Sequence, residues 1–176
     1  EIETAFRHFD PDKDLAIFRF IKLLFLKKGA VLEMKNNEDV IVFERLAAAV
    51  STEIHRMKGF IRFRETDFGV YYAPISPDND ILETLAEHFT DRFRGMAFCI
   101  HDVARKKMLA YDGTLCRLVP ARQAEIALSE REIETQSLWK DYYESVNIKE
   151  RKNEGLRRRF LPTRYRKFLT ELNNDF

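Results

Sequence analysis

The sequence predicts an α+β fold, an antiparallel sheet (one hairpin plus a three-strand meander) flanked by N-terminal and C-terminal helices. Three observations lead there. Apolar residues recur at helical spacing up to about residue 58, alternate from about 59 to 120, and return to helical spacing after Pro120. Turn signals punctuate the middle third. A strong helix start opens the last third. The 176 residues are enough for one ample domain. A single domain over residues 1–176 is expected, with residues 1–58 helical, strands and one helix over residues 59–120, and residues 121–176 helical and basic.

Asp10-Pro11 reads as an N-cap followed by proline at the first helical position, with Gly29 as the stop. Leu15, Phe18, Ile21, Leu24 and Phe25 would form the apolar stripe of this helix. A second helix, about Glu38 to Met57, carries Phe43, Leu46, Ala47, Val50 and Ile54 and ends at Gly59. The two are expected to pack together. Phe60–Glu65 and Val70–Ile75 form a hairpin about Asp67-Phe68-Gly69, with Ile61 and Phe63 facing the core and Arg62 and Arg64 the other side. Pro74 and Pro77 close the second run. Ser76 or Asn79 caps a helix to Arg94, which Gly95 ends. Met96–His101, Lys107–Tyr111 and Thr114–Val119 give the meander, the last two joined by Asp112-Gly113, a pair favoured in two-residue type I′ turns.

Ser129 and Glu132 form a capping box, and Leu128 with Ile133 supplies the hydrophobic staple. That helix runs to about Ser145 through Trp139, Tyr142 and Tyr143, read as a buried stripe with a stacking platform as the alternative. Asn147 with Glu150 resembles another box, opening a helix that Gly155 weakens. Pro162 begins the final helix, to about Leu172.

Composition narrows the class. Hydrophobic residues are 45% and charged ones 34%, so a core is within reach and wholesale disorder is not expected. Cys99 and Cys116 sit in apolar runs without CxxC spacing, which fits a reduced, cytoplasmic protein with buried thiols. The densest apolar stretch, Leu15–Leu26, is interrupted by Arg19 and Lys22 and is too short to span a bilayer. No signal peptide is visible, and no membrane partner is expected. The chain opens at Glu1 instead of Met.

Charge is uneven. Residues 147–168 hold nine Lys and Arg against Glu150 and Glu154, a local net of +7, while the whole chain is +1. A basic tail on a mildly acidic body displays positive potential to a polyanion. Nucleic acid is one reading; a solvated helix with a long basic face is the other. Tyr165 beside Arg164 adds a ring that can stack on a base. Arg62 and Arg64 alternate out of an aromatic strand near Tyr71 and Tyr72, and Arg92 and Arg94 close the next helix. Arginine forks suit phosphate, and a tyrosine-bearing sheet face suits unstacked bases. Pairing of these arginines with Glu65 or Asp67 is the plain alternative.

No GxSxG, Walker A, GxGxxG, HExxH or zinc-deaminase pattern occurs. Polar residues near element ends remain. His55, His88 and Asp102 are the catalytic candidates; converging, they could hold a divalent metal. Their spacing is not specific, and caps, charge pairs or core histidines account for each taken singly. No resident metal or cofactor is assigned.

HRMKGFIRFRE (residues 55–65), YYAPISPDNDIL (71–82), HFTDRF (88–93), IHDVAR (100–105), SVNIKERKN (145–153) and LPTRYRKFLTE (161–171) follow one another as in a known bacterial family. Over about residues 40–172 the chain resembles that domain of unknown function, described as a probable DNA metabolism protein. Members lie beside a radical SAM protein assigned to DNA modification or repair, and some are fused to a uracil-DNA-glycosylase-like domain. The resemblance implies a DNA-linked role and DNA and that radical SAM protein as partners. Members resemble longer chains, so it also implies an additional N-terminal segment. It marks His55, Arg62, Phe63, His88, Phe89, Arg92, Asp102, Arg105, Arg151, Asn153, Pro162, Arg164 and Tyr165. Such motifs often read Arg-Tyr-Trp where this chain has Arg164-Tyr165-Arg166, which weakens stacking at the last position. No glycosylase-like module or CxxxCxxC signature is present.

The expected function is a DNA metabolism or repair accessory domain that binds nucleic acid and acts with a modification or repair enzyme. Its contacts would be Arg62, Arg64, Arg92, Arg105, Arg151, Arg158, Arg164 and Tyr165. A metal-assisted enzyme acting on a base or phosphodiester, and a protein-binding adaptor, are the alternatives.

Overall fold

A computed structural model describes residues 1–122, 126–148 and 153–172. Its elements are α1 (Ile2–Phe6), α2 (Lys13–Lys27), a 3-10 stretch (Lys28–Glu33), α3 (Glu38–Phe60), β1 (Arg64–Glu65) and β2 (Tyr71–Ile75), then a 3-10 turn (Glu83–Leu85), α4 (Ala86–Phe93), β3 (Phe98–Asp102), β4 (Lys107–Tyr111) and β5 (Cys116–Pro120). α5 (Glu130–Val146), α6 (Glu154–Phe160), α7 (Thr163–Arg166) and a last 3-10 turn (Thr170–Leu172) follow. Contacts gather the chain into two compact units: Glu1–Met57 with Asp78–Ile81, and Lys58–Pro77 with Leu82–Phe176.

In the first unit α2 and α3 pack as expected, with the Phe20 and Phe43 rings stacked 3.7 Å apart. Ala5, Ile17, Val31, Val40, Leu46 and Ala47 complete the cluster. The buried face of α2 is only partly the expected one: Ile21 and Leu24 of the expected stripe pack against the cluster. Ile17 and Phe20 are inside, whereas Leu15, Phe18 and Phe25 are exposed. Residues 15–26 are apolar almost all round, so periodicity alone could not choose the inward face. α2 also starts later than expected: Asp12 holds the N-cap position without a side-chain cap bond, while Asp10 Oδ1 accepts from the Asp12 N–H. Glu53 of α3 is buried and accepts from the backbone N–H groups of Asp78 and Asn79, both at 2.8 Å. It thereby ties the detached segment Asp78–Ile81 to this unit.

The second unit holds a five-stranded sheet in the order β1-β2-β3-β4-β5. The sheet is mixed, which corrects the expectation of a purely antiparallel one: β2 and β3 run parallel, Tyr71 opposite Phe98 through Ile75 opposite Asp102. The reason lies in α4. A hairpin turn reverses the chain, but a helix between two neighbouring strands returns it to the same end, so they pair parallel. Alternating hydrophobicity is identical for either direction. The other three pairings are antiparallel.

Strand ends moved as well. Phe60 completes α3 instead of opening a strand, because the helix runs through Gly59. Pro74 lies inside β2 instead of ending it; β1 pairs only with Tyr71 and Tyr72, so no partner on that edge requires a donor from Pro74. The β4–β5 loop is four residues, since Tyr111 pairs with Cys116. Asp112 Oδ1 gathers the N–H groups of Thr114 and Leu115 at 2.9 and 2.8 Å, replacing the two-residue turn.

Ser129 caps α5 as expected, its side chain accepting from the Glu132 N–H. The box is not reciprocal. Glu132 Oε2 accepts instead from the Glu65 N–H at 3.0 Å, and the Ser129 N–H donates to the Glu65 carbonyl. The segment before α5 thus covers the outer edge of β1, which blunts an otherwise open strand. Trp139 and Tyr142 are 41% and 56% exposed, so the buried-stripe expectation fails for both. Asn153 caps α6 through the Leu156 N–H; the expected Asn147–Glu150 box lies partly outside the described residues. Pro162 precedes a single helical turn and then a 3-10 turn, not one continuous helix.

Candidate functional site

A cleft of about 570 Å³ opens within the second unit. Its apolar wall is built from both sequence patterns. Phe63 comes from the segment before β1, and Phe89 and Phe93, one helical turn apart, from α4. Phe63 packs on Phe93 at 4.4 Å and on Phe89 at 5.1 Å. Lys58 and Gly59 at the end of α3, and Thr135, Gln136 and Trp139 of α5, complete further stretches of the lining.

Charge at the cleft is graded. Arg62 donates to both Glu171 oxygens, at 2.8 and 3.4 Å, and to the Gly59 carbonyl at 2.8 Å. Trp139 Nε1 donates to the same carboxylate at 3.3 Å. Burial would push the Glu171 carboxyl up, but the Arg62 hydrogen bond and charge and the Trp139 bond together hold it below its ordinary value. Lys58 and Arg92 also line the cleft, and neither has an ion-pair or hydrogen-bond partner among the described residues. Glu132 contributes a carboxylate, engaged by the Glu65 N–H and by Gln136 Nε2 at 2.7 Å.

The Glu171 shift has a testable sign. A depressed carboxyl adds stability above its unfolded value and loses it as pH falls through the folded one. Acidification through and below the ordinary carboxylate range should therefore release the Trp139–Glu171–Arg62 contact. The emission of Trp139, the single tryptophan of the chain, should shift over that range. Glu171→Gln should flatten the change; an unaltered profile would refute the assignment.

The sequence candidates distribute differently from the expectation. Arg62 and Arg92 meet at the cleft. Arg64, expected on an open face, is only 7% exposed; burial pulls its guanidinium below the ordinary value, and Glu132 partly opposes this. Strand alternation did put it opposite Phe63, but that side is covered where the approach to α5 pairs with β1. Tyr72 on the same sheet face is hydrogen-bonded to His101 Nδ1 at 2.8 Å, and burial raises its hydroxyl. It is tied into the sheet, not displayed for a base.

Arg105 is held by Asp102 at 2.9 Å and by the Pro77 carbonyl at 3.0 Å. Asp102 has no exposed surface; its Oδ1 accepts from the N–H groups of Ala104 and Arg105. That makes it the anchor of the β3–β4 turn and not a group open to substrate. His55 is exposed on α3. His88 is edge-on to Phe89 at 4.8 Å, with Nε2 buried and unpartnered among the described residues. Among those residues no three His, Cys, Asp or Glu side chains form a group that could hold a metal ion.

In the basic tail, Arg158 is exposed on α6, and Arg151 lies outside the described residues. The Arg164 guanidinium sits 4.6 Å above the Tyr165 ring. Tyr165 is only 3% exposed and faces Phe60 at 6.1 Å, so its ring belongs to the core in this conformation. Cys99 and Cys116 are both free thiols, raised mainly by burial. Sequence reading weighed Trp139 as a stacking ring but did not group Lys58, Gln136 and Trp139 with Arg62 and Arg92. Gln136 and Trp139 share α5, far along the chain from Lys58, Arg62 and Arg92, and no local spacing links that helix to the other three.

A family model described as a domain of unknown function matches residues 11–171. No curated protein and no solved structure matches the chain. The match agrees with the family class that the sequence motifs resemble and carries no reaction, ligand or partner.

Proposed function

The chain belongs to the DUF4130 family, a domain of unknown function, and from that premise we propose a nucleic-acid-binding accessory domain working with a DNA modification or repair enzyme. The observation that carries this reading is the pairing of an aromatic-walled cleft with two unpaired cations, Lys58 and Arg92, among the described residues. Arg62, oriented by Glu171, supplies a third. Positive side chains neutralise phosphates and aromatic walls receive bases, and single-stranded nucleic acid presents both. Arg158 of α6 adds an exposed charge in the same unit. The DNA setting and the partner enzyme rest on the motif resemblance.

Three to five neutralised phosphates predict a slope of about −2 to −3.5 in log affinity against log salt on a single strand. Lys58→Glu with Arg92→Glu should weaken binding by roughly tenfold or more at low salt and flatten that slope by about 1.4, without altering the thermal transition. Fluorescence anisotropy with a labelled oligonucleotide reads both quantities. Binding that is absent at low salt, or indifferent to salt, overturns the reading.

A further inference from the structure

Within that reading, on which it rests, we infer that the cleft takes one unstacked nucleobase, with its flanking phosphate held by Lys58 and Arg92. Size is the first argument: about 570 Å³ falls within the range of small-molecule sites, roughly 300–1,000 Å³. It accommodates a base and sugar but not a duplex, so a base enters only after leaving its stack.

Chemistry is the second. Phe63, Phe93 and the Trp139 indole line the space. The indole is not loose, because its Nε1 is bonded to Glu171, which Arg62 holds in turn. A planar aromatic ligand therefore meets a ring already oriented, and stacking requires less ordering on binding. Base-on-aromatic contact is sequence-tolerant because every base has a π-face.

Gln136 supplies the polar selection. Its Nε2 donates to Glu132 Oε1 at 2.7 Å, and a carboxylate can only accept, so this bond fixes which end of the amide is nitrogen. The remaining amide oxygen has no hydrogen-bond partner among the described residues. It is an acceptor on the cleft lining. All the common bases carry an N–H on the Watson–Crick edge, so such an acceptor admits each of them and gains nothing from an abasic site. Each Glu132 oxygen already accepts one hydrogen bond from the protein, whereas the Gln136 oxygen accepts none among the described residues.

Trp139 makes the inference testable, as the only tryptophan in the chain stands at the proposed contact. Full-length protein is titrated with a twelve-nucleotide oligothymidylate and, separately, with an abasic deoxyribose-phosphate strand of the same length. Tryptophan emission and anisotropy are followed together. The thymidylate strand should quench Trp139 and bind roughly tenfold or more tightly than the abasic strand. Gln136→Met and Arg92→Glu should each reduce the quench while the far-ultraviolet circular dichroism stays unchanged. Equal affinity for the two strands overturns the base pocket but leaves phosphate binding standing. Failure of both strands to bind overturns the underlying nucleic-acid reading instead. Quenching that survives both substitutions places the base elsewhere and also refutes the inference.

Discussion

Asp102→Ala is expected to destabilise the sheet-bearing unit by about 3–5 kcal/mol, the usual result of breaking a buried ion pair. The side chain is fully buried and does three things at once. It pairs with Arg105 at 2.9 Å and accepts the N–H groups of Ala104 and Arg105, each at 3.1 Å. Removing it leaves those donors without their acceptor where the chain reverses between β3 and β4. Arg105 is 25% exposed and can recover some hydration, so the lower half of the range is expected. Asp102→Asn keeps an oxygen for the turn and loses the charge, and should cost about 1–2 kcal/mol. Urea unfolding followed by circular dichroism measures both. A loss below about 1 kcal/mol for the alanine variant would exclude an anchoring role and make Asp102 a functional candidate again.

Gly113→Ala should cost about 3 kcal/mol or more. Backbone held at positive φ, +96° here, strains an L side chain by about 1–3 kcal/mol. A Cβ at this position would also stand 2.5 Å from the Gly95 carbonyl oxygen and 3.2 Å from its carbon. Both neighbours are backbone, so no flexible side chain can give way. The clash adds a term of similar size, as overpacking does in a core. Gly95→Ala is the internal control. Its φ is +88°, but nothing lies within 4 Å of its added Cβ, so it carries the strain without the overlap. The difference between the two variants isolates the close approach of the two loops. Equal losses would show that strain alone accounts for the glycine at 113.

Local signals were legible where the interaction is itself local. Ser129 was readable as a cap because its acceptor and the Glu132 N–H are three residues apart. Asp112-Gly113 was readable as a reversal, though not its length, because Asp112 gathers its own neighbours. The α3 stripe of Phe43, Leu46, Ala47 and Val50 came through because its opposite face is polar. α2 failed the same test, having apolar residues on both faces. The capping box failed by half, since the Ser129 N–H goes to the Glu65 carbonyl and Glu132 accepts from the Glu65 N–H instead.

The candidates fall into different structural settings. Arg62 and Arg92 do line a cleft, while Arg64, Asp102, Arg105 and Tyr165 are committed to holding the fold together. A sequence shows that an arginine exists but not whether a carboxylate lies opposite it.

By itself, the sequence determined the α+β class, most element positions, where the chain reverses at Asp112-Gly113 and the basic character of the tail. Each of these follows from side chains interacting within a few positions of one another. Tertiary structure alone decided that β2 and β3 run parallel, that Asp102 is an anchor, and that Lys58, Arg92, Gln136 and Trp139 share one cleft. Arg62 and Glu171 are 109 residues apart in the chain and 2.8 Å apart in space. Such pairings depend on how the whole unit packs, and neither residue type nor periodicity encodes them.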